Sequence, residues 1–475
     1  MKAKTDEPGL AAREGAAALL TAVLKERQAF DEAFAREAAA GRLARAESRD
    51  RAFARAIAAT ALRRLGTIDT LIARCLDKEL PNRAGPTRNI LRAGTAELLF
   101  LRVAAHAAVG MNVETASRDH AARHFKALVN AVLRRLSREG DAMLDSLDTE
   151  RLDTPDWLWE SWCAAYGEET ARAIVRAHYQ DPPLDISVKT AAERDAWAEK
   201  LGAHVLPTGT LRLDDAGRIE ELPGFGEGAW WVQDVAAAIP AKLLGDVAGR
   251  EVLDLCAAPG GKTAELAALG ARVTALDRSK PRLERLAQNL SRLHLTAETV
   301  VADAATFMPG RQWDAILLDA PCTATGTARR HPDVLRLKSP ADRDKLAALQ
   351  ARLLDHAATL LAPGGTLVYC TCSLEPEEGV QQIARFLASH DDFERVPVSP
   401  QEAGGISEIV TGEGDLRSLP CHLGVEGGMD GFYAARLERK IYNDMAKHQG
   451  SLSLIDGRES RRQLSRSSHS KTVAR

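Results

Sequence analysis

The first third of the chain places apolar residues at the three- and four-residue spacing of amphipathic helices. Alanine, leucine and arginine dominate residues 10–140, and the helical spacing is clearest over residues 54–65 and 128–136. We expect breaks at Gly66, across residues 81–86 and at Gly110, because glycine and proline interrupt helices. The pattern predicts an all-α bundle over residues 10–145.

Residues 151–235 follow a different pattern. A strand-like run at 184–189, a helical stretch at 191–201 and a second strand-like run at 212–213 succeed one another. Six of the seven tryptophans also lie in this region, and clustered tryptophans are more often core residues than base-stacking surfaces. We therefore expect a small α/β module that connects the bundle to the remainder of the chain.

From residue 251 onward, short apolar runs alternate with helical stretches. The predicted strands are residues 252–255, 273–276, 299–302, 315–318 and 366–369, and the predicted helices include 282–293 and 343–361. This alternation is typical of an open, mostly parallel sheet that binds ligands beyond the carboxyl ends of its strands. The predicted fold class is therefore α/β, with a Rossmann-like domain over residues 236–438.

Composition narrows the function classes without choosing among them. A chain of 475 residues with 45% hydrophobic residues is long enough for two or three domains. Its seven cysteines form neither a disulfide framework nor the CxxC pairs of a zinc site. The sequence also offers no signal peptide and no apolar run of membrane-spanning length. We expect a cytoplasmic protein that has neither a membrane nor a metal as partner.

The formal net charge of −3 is unevenly distributed. Basic residues exceed acidic ones in the first 150 residues and after residue 438, whereas the region between is acidic. The following arginines of the bundle would suit a phosphate-binding face but are equally typical of a solvated helix surface: Arg49, Arg51, Arg55, Arg63, Arg64, Arg134 and Arg135. Residues 439–475 are polar and lack periodicity, which predicts a disordered basic tail.

A glycine-rich turn, DLCAAPGGKT at residues 254–263, follows the first predicted strand of the α/β region. It matches the phosphate-binding pattern GxxxxGK[ST] except that Cys256 replaces the first glycine, so a P-loop ATPase acting on RNA is one alternative. Asp277 ends the next strand about 20 residues later, where an acidic residue binds ribose hydroxyls in dinucleotide-type sites. An adenosyl cofactor therefore fits this region better than a nucleoside triphosphate.

Two cysteines follow predicted strands, Cys322 in the sequence DAPC and Cys372 in the sequence TCS. A thiolate can add to C6 of a pyrimidine and make C5 nucleophilic, so two thiols beside a nucleotide-binding loop indicate covalent chemistry on cytosine. Asp319 would assist as a carboxyl that burial keeps protonated. Lys262 is a further candidate, because an ammonium can lower a thiol pKa or orient the substrate.

Four segments resemble, in order and spacing, the RsmB/NOL1/NOP2/Sun family of S-adenosylmethionine-dependent RNA cytosine-C5 methyltransferases: DLCAAPGGKT, LDAPCTATGTARRHPDV, YCTCSLEPEEG and MDGFYAARL. The bundle is similar to the NusB-type RNA-binding domain of the bacterial RsmB branch. The resemblance implies methylation of a cytosine in small-subunit (16S) ribosomal RNA. A non-catalytic RNA-binding protein with a vestigial second half is the other alternative.

The resemblance also implies roles for individual residues. The methionine end of S-adenosylmethionine would be bound by the loop Cys256, Ala257, Ala258, Pro259, Gly260, Gly261 and Lys262, the ribose by Asp277 and the adenine by Asp303. Asp319 would contact the target cytosine and would also belong to the cofactor-binding residues, Cys372 would be the nucleophile and Cys322 would assist release of the adduct. A Pro-Cys dipeptide carries the nucleophile in the DNA cytosine methyltransferases, so the opposite order of the two cysteines stays open.

Overall fold

The structure is a computed structural model that describes residues 9–214 and 216–441. Residues 442–475 lie outside this range, so the disorder predicted for the tail stays a prediction. Within the described ranges, no helix is both long and apolar enough to cross a membrane. The same ranges contain no cluster of three or more histidine, cysteine or acidic side chains placed to hold a metal ion.

The N-terminal region is a bundle of helices around an alanine- and leucine-rich core, as predicted. Its helices are α1 (Leu10–Leu24), α2 (Phe30–Ala40), α3 (Ser48–Arg63), α4 (Leu65–Arg74), α5 (Thr87–Leu99), α6 (Ala105–Arg118) and α7 (Lys126–Leu144). Leu19, Leu62, Ala96 and Leu133 come from four of these helices and are fully buried in one apolar cluster. The small alanine side chains allow the helices to approach one another closely.

Two of the three predicted helix breaks are observed. A break lies beside Gly66, where α3 ends at Arg63 and α4 begins at Leu65, and residues 81–86 separate α4 from α5, whereas Gly110 lies inside α6. One glycine costs a helix only about 1 kcal/mol relative to alanine, which neighbouring helix formers outweigh. Gly66 also has a packing role, because a Cβ there would lie 1.8 Å from the backbone oxygen of Leu152.

The region after the bundle begins with helices and continues as a small sheet. The helices are α8 (Thr149–Asp153), α9 (Asp156–Tyr166) and α10 (Glu168–His178). The strands β1 (Leu184–Val188), β2 (His204–Val205), β3 (Leu211–Leu213) and β4 (Trp230–Val232) form an antiparallel sheet in the order β2, β3, β1, β4, and α11 (Arg194–Leu201) packs on it. Trp162, Trp197, Trp230 and Trp231 are buried, which confirms the core interpretation for these four.

The α/β region contains a mixed sheet with helices on both faces. Its parallel strands are β5 (Glu251–Leu255), β6 (Arg272–Asp277), β7 (Glu298–Val301), β8 (Trp313–Asp319) and β9 (Leu361–Thr371), and its antiparallel strands are β10 (Phe393–Arg395), β11 (Leu416–Ser418) and β12 (Phe432–Arg439). The helices are α12 (Ile239–Lys242), α13 (Gly261–Ala268), α14 (Lys280–Arg292), α15 (Val334–Leu337), α16 (Pro340–Leu360) and α17 (Val380–Ser389). This is the predicted Rossmann-like fold.

The strand order places the site. Strands pair in the order β10, β12, β9, β8, β5, β6, β7, with β11 beside β12. The connections reverse direction at β5, and ligands of open α/β sheets bind at such a reversal, outside the carboxyl ends of the strands. Leu253 and Leu317 belong to apolar clusters on opposite faces of the sheet. Burial of both faces explains the nearly continuous apolar runs of these strands.

The bundle rests on residues 329–337, the segment that follows the Cys322 loop. Arg27 donates a hydrogen bond to the backbone oxygen of Arg336 at 2.6 Å. The buried Arg63 donates to the backbone oxygen of Arg329 at 2.9 Å. The N-terminal region is thereby joined to a segment that leads directly from one of the two candidate cysteines.

Candidate active site

The structure brings the two candidate cysteines together at the carboxyl ends of β8 and β9. These strands are parallel neighbours, with Asp319 opposite Cys370, so the loops that leave them run side by side. The Sγ atoms of Cys322 and Cys372 lie 3.5 Å apart. The backbone N–H of Gly326 donates to the backbone oxygen of Cys372 at 2.9 Å and holds the two loops together. Both thiols are therefore within reach of a single pyrimidine base.

The thiols near this point differ in their surroundings. The hydrogen bond to Cys372 and, next, burial raise the pKa of the Cys322 thiol well above its usual value. Burial also raises the pKa of the Cys370 thiol, which lies 3.6 Å from Oδ1 of Asp319. A protonated thiol is a poor nucleophile, because the thiolate is the attacking form. In this state Cys322 is a poor nucleophile.

Lys262 and Asp319 form an ion pair between the glycine-rich loop and the end of β8. Nζ of Lys262 lies 2.8 Å from Oδ2 of Asp319 and 4.7 Å from the centre of the Phe432 ring. Burial would lower the pKa of Lys262, but the Asp319 carboxylate outweighs it and the pKa is raised. The ammonium therefore stays charged and available as a hydrogen-bond donor.

The environment of Asp319 differs from the one expected from the sequence. We expected a buried carboxyl that acts as a donor, whereas the side chain is 31% exposed and paired with Lys262. Nζ of Lys262 donates a hydrogen bond to Oδ2 of Asp319. Within this pair Lys262 is the donor and Asp319 is the acceptor, and the role of each towards a substrate stays a prediction.

The glycine-rich loop turns sharply between β5 and α13. Cys256 has a φ of 62°, in the left-handed region that favours glycine, and it is the residue at which the sequence departs from the P-loop pattern. Gly260 has a φ of 104°, and a Cβ there would lie 2.6 Å from the side chain of Leu286. Glycine is therefore required at residue 260, both for the backbone angle and for the close approach to α14.

Asp277 ends β6 and fastens this loop to the sheet. Its Oδ2 accepts a hydrogen bond from the backbone N–H of Ala258 at 3.2 Å, and its Oδ1 accepts one from Ser279 at 2.8 Å. Nη1 of Arg282 lies 3.5 Å from Oδ2. Each carboxylate oxygen can accept a further hydrogen bond, so the ribose-binding role predicted for Asp277 is chemically available.

Asp254, within β5, is a site residue to which the sequence analysis assigned no role. Its Oδ2 accepts a hydrogen bond from the hydroxyl of Thr263 at 2.6 Å, whereas its Oδ1 is buried without a partner among the described residues. Burial raises the pKa of this carboxyl to about 7. An unpaired buried oxygen is costly unless a ligand donates to it. S-adenosylmethionine carries ammonium and hydroxyl donors, so the residues present fit this cofactor.

Asp303 lies just beyond β7 and is exposed. Its Oδ1 accepts a hydrogen bond from the backbone N–H of Ala305 at 2.9 Å, which stabilises the turn after the strand. Because β7 is the parallel neighbour of β6, Asp303 stands at the same edge of the sheet as Asp277. The family resemblance predicts that the adenosyl group of the cofactor binds at this edge.

The chain matches two family models and close relatives among curated proteins. The model described as 16S rRNA methyltransferase RsmB/F matches residues 241–438, and the NusB family model matches residues 10–138. Ribosomal RNA small subunit methyltransferase B of Vibrio cholerae is 39% identical over 74% of this chain and 81% of its own length. The protein of the same name from Erwinia tasmaniensis is 38% identical over 74% of this chain and 82% of its own length.

Solved structures share the fold. The crystal structure of PH0851 is 26% identical, with a TM-score of 0.71, and the match covers 92% of this chain and all of that one. A methyltransferase homologue from Pyrococcus horikoshii is 26% identical with a TM-score of 0.51, over 61% of this chain and 96% of its own. NSun6 from the same organism, determined with SFG, has a TM-score of 0.51 over 61% of this chain and 99% of its own, and at 21% identity it supports the fold alone.

Proposed function

The chain belongs to the RsmB/F family of 16S rRNA methyltransferases, and from this premise we propose how its residues carry out the reaction. It is an S-adenosylmethionine-dependent enzyme that methylates RNA of the small ribosomal subunit. Membership of this family sets aside the ATPase and the non-catalytic RNA-binding alternatives. We propose that the product is 5-methylcytosine and that the enzyme works in the cytoplasm, where this RNA is found.

We propose that Cys372 is the nucleophile. Its thiol loses a proton to solvent, the thiolate forms an Sγ–C6 bond with cytosine, and electron density moves to C5 and towards N3 and O2 of the ring. The ammonium of Lys262 stabilises this developing negative charge, and Asp319 accepts a hydrogen bond from the exocyclic amino group of cytosine. The observation that carries the proposal is the 3.5 Å separation of the two thiols beside the Lys262–Asp319 pair.

S-adenosylmethionine, when bound, supplies the methyl group that C5 takes up. Two events must then occur: C5 loses its proton, and the C6–Sγ bond breaks to return the thiolate of Cys372. We assign the proton transfer to Cys322: its thiol first loses its own proton to solvent, and the resulting thiolate, directly or through a water molecule that it orients, takes the proton from C5. Because the pKa of this thiol is raised, its thiolate is a stronger base than an ordinary cysteine thiolate.

The cofactor would be held on the other side of β5. We propose that residues 256–262 surround its methionine end, that Asp277 binds the ribose hydroxyls and that Asp303 contacts the adenine. Asp254 is added to this set, because its unpartnered Oδ1 needs a donor. We further propose that the exposed basic residues of the bundle bind RNA phosphates and place the target base.

Substitution of each cysteine tests the assignment. With RNA and cofactor, Cys372→Ala should give neither methylated product nor adduct, because no thiolate attacks. In the Cys322→Ala variant, Cys372 should still attack the cytosine and C5 should still be methylated, but the RNA should be released slowly. A protein–RNA adduct should therefore survive denaturing gel electrophoresis. Cys75→Ala removes a cysteine of the bundle and is the control. Adduct with Cys372→Ala and none with Cys322→Ala would reverse the two roles.

A further inference from the structure

A buried carboxylate beneath the two thiols accepts hydrogen bonds from the neighbours of both. Glu378 is fully buried. Thr323, which follows Cys322, donates its backbone N–H to Oε1 of Glu378 at 2.9 Å and its hydroxyl to Oε2. Ser373, which follows Cys372, donates its hydroxyl to Oε2 at 2.6 Å. One side chain thus joins the two loops that carry the thiols.

The same residue is connected to the other side of each loop. The backbone oxygen of Glu378 accepts hydrogen bonds from the hydroxyls of Thr371 at 3.2 Å and Tyr369 at 2.8 Å, in the strand that precedes the nucleophile. Gln350 of α16 donates to Oε1 of Glu378 at 3.0 Å and to the backbone oxygen of Pro321 at 2.9 Å. Residues before and after both cysteines are therefore linked to Glu378, either directly or, for Pro321, through Gln350.

We propose that Glu378 is a positioning residue that sets the separation of the two thiols and thereby controls release of the covalent adduct. The inference rests on the proposed function, because it presupposes that one thiol attacks and the other assists elimination. The hydrogen bonds that the Glu378 carboxylate makes within the described residues do not include one to either thiol, although its charge contributes to the raised pKa of Cys322. Glu378 acts through Thr323 and Ser373, which lie next to the reacting residues in the chain.

Loss of the carboxylate should disturb Cys322 more than Cys372. The Cys372 loop leaves a long strand, and Thr371 at the end of that strand is paired with Tyr433 of β12. Cys322 lies beyond the end of β8, where its neighbours are held by Glu378 and Gln350. Attack by Cys372 should therefore survive the change better than the release step that Cys322 assists.

Glu375 provides a matched control in the same segment. It is also fully buried, but its carboxylate accepts its shorter hydrogen bonds from Trp162 at 2.9 Å and from Ser161, both of α9, and only a 3.5 Å hydrogen bond from Thr325 of the Cys322 loop. Burial raises the pKa of Glu375 to about 7, so glutamine resembles a form that is populated at neutral pH. Glu375→Gln replaces a buried carboxylate at comparable depth, keeps an amide oxygen that can accept from Thr325, and leaves the hydrogen bonds of Glu378 to Thr323 and Ser373 in place.

The test compares Glu378→Gln, Thr323→Val and Glu375→Gln in the full-length enzyme, with Cys322→Ala as the reference for a trapped adduct. Glu378→Gln should raise the adduct fraction and lower multiple-turnover methylation by about tenfold, while first-turnover methyl transfer falls less than about threefold. Its affinity for S-adenosylhomocysteine in calorimetry should stay within about twofold of wild type. Thr323→Val removes one donor and should shift the adduct fraction in the same direction by about twofold. Glu375→Gln should leave the adduct fraction at the wild-type level.

The other possible results contradict either the role inferred for Glu378 or the proposed roles of the two cysteines. An equal rise in adduct for Glu378→Gln and Glu375→Gln, or no rise for either, would show that Glu378 has only a structural role. If Glu378→Gln does not fold, an unchanged adduct fraction in Thr323→Val overturns the inference. Absence of adduct in Cys322→Ala would instead contradict the proposed function, and the role of Glu378 in release would fall with it.

Discussion

In the α/β half, charged side chains at the strand ends lie at the candidate active site. In the N-terminal bundle, by contrast, several of the candidate RNA-binding arginines contact other residues of the same chain. Oδ1 of Asp254 has no hydrogen-bond partner within residues 9–214 and 216–441, and the Lys262–Asp319 pair stays partly exposed. In contrast, the buried guanidinium group of Arg63 donates a hydrogen bond to the backbone oxygen of Arg329. A charge just beyond a parallel strand is held at the ligand-binding edge by the sheet, but a helix can present its charges to solvent or to another domain.

The structure divides the arginines of the bundle into those that contact other parts of the protein and those that are exposed to solvent. The sequence alone does not make this distinction. Arg51 donates to the backbone oxygen of Leu43, and Arg64 stacks over the ring of Tyr179. Arg49 is exposed and lines a cavity of about 960 Å³ with Arg45. Because only exposed guanidinium groups can meet RNA phosphates, Arg49 and Arg45 are better candidates for RNA contact than Arg51, Arg63 and Arg64.

The largest expected effect concerns the donor at the catalytic edge. Lys262→Ala removes the ammonium beside Asp319 and should lower kcat by about 100-fold or more, because the developing charge on the ring loses its donor. Multiple-turnover methylation of rRNA at saturating RNA and cofactor measures the loss. A kcat within a few-fold of wild type would show that Lys262 only stabilises the glycine-rich loop. It would also weaken the distinction between active-site charges in the α/β half and structural charges in the bundle.

Asp277→Ala should have the next largest effect. Removal of the carboxylate breaks its bond to Ala258 and any bond to the ribose, so cofactor binding should weaken by about 1–3 kcal/mol. Calorimetry with S-adenosylhomocysteine measures this change, and Asp303→Ala, with an exposed side chain, should cost less. Unchanged affinity in Asp277→Ala would contradict the ribose-binding assignment.

Two arginines of the bundle form a matched pair for the comparison. Arg49→Ala should lower RNA affinity several-fold and reduce the slope of log affinity against log salt by about 1, with little change in stability. Arg63→Ala leaves the Arg329 backbone oxygen unpaired and should lower the free energy of unfolding by about 1–3 kcal/mol. Filter binding across a salt series and denaturant unfolding check the two variants. The reverse pattern would mean that burial does not separate RNA-binding from structural arginines.

The smallest effect is a pH dependence of the contact between the bundle and the α/β half. Nδ1 of His331 lies 3.1 Å from Oδ2 of Asp31, which also pairs with Arg55. The hydrogen bond to Asp31 raises the pKa of His331 above 6.5, and the hydrogen bond to His331 lowers that of Asp31 to about 2. The histidine contribution to stability is thus fully present below pH 6.5 and is lost as the pH rises through the raised pKa. The aspartate contribution disappears only in acid, as the pH falls towards 2.

The wild-type protein should therefore lose a little thermal stability between neutral and alkaline pH, and His331→Gln should lose less over the same interval. The side chains of His331 and Asp31 are 45% and 48% exposed, so solvent screening keeps the effect well below about 1 kcal/mol. Differential scanning calorimetry at several pH values measures it. An equal loss in His331→Gln would assign the pH dependence to other groups.

Strands and strand-end residues could be predicted because local patterns determine them. The run at 252–255 became Glu251–Leu255, and the cysteine loops meet because β8 and β9 are parallel neighbours. The role inferred for Glu378 was not predictable, because the sequence PEEG resembles an exposed turn and only tertiary contacts bury its carboxylate. The strand–helix–strand order predicted over residues 184–213 is observed as β1, α11 and β3, whereas the helices α8, α9 and α10 that precede it were not predicted.

The most direct test of the central claim locates the covalent bond in the wild-type enzyme. With rRNA that carries 5-fluorocytidine, fluorine at C5 cannot leave as the proton does, so the adduct should persist after methyl transfer. Tandem mass spectrometry of the digested adduct should place the methylated nucleotide on Sγ of Cys372, and fragment ions should exclude Cys370 in the same peptide. A nucleotide on Cys322, or no covalent adduct with methylation-competent enzyme, would contradict the account.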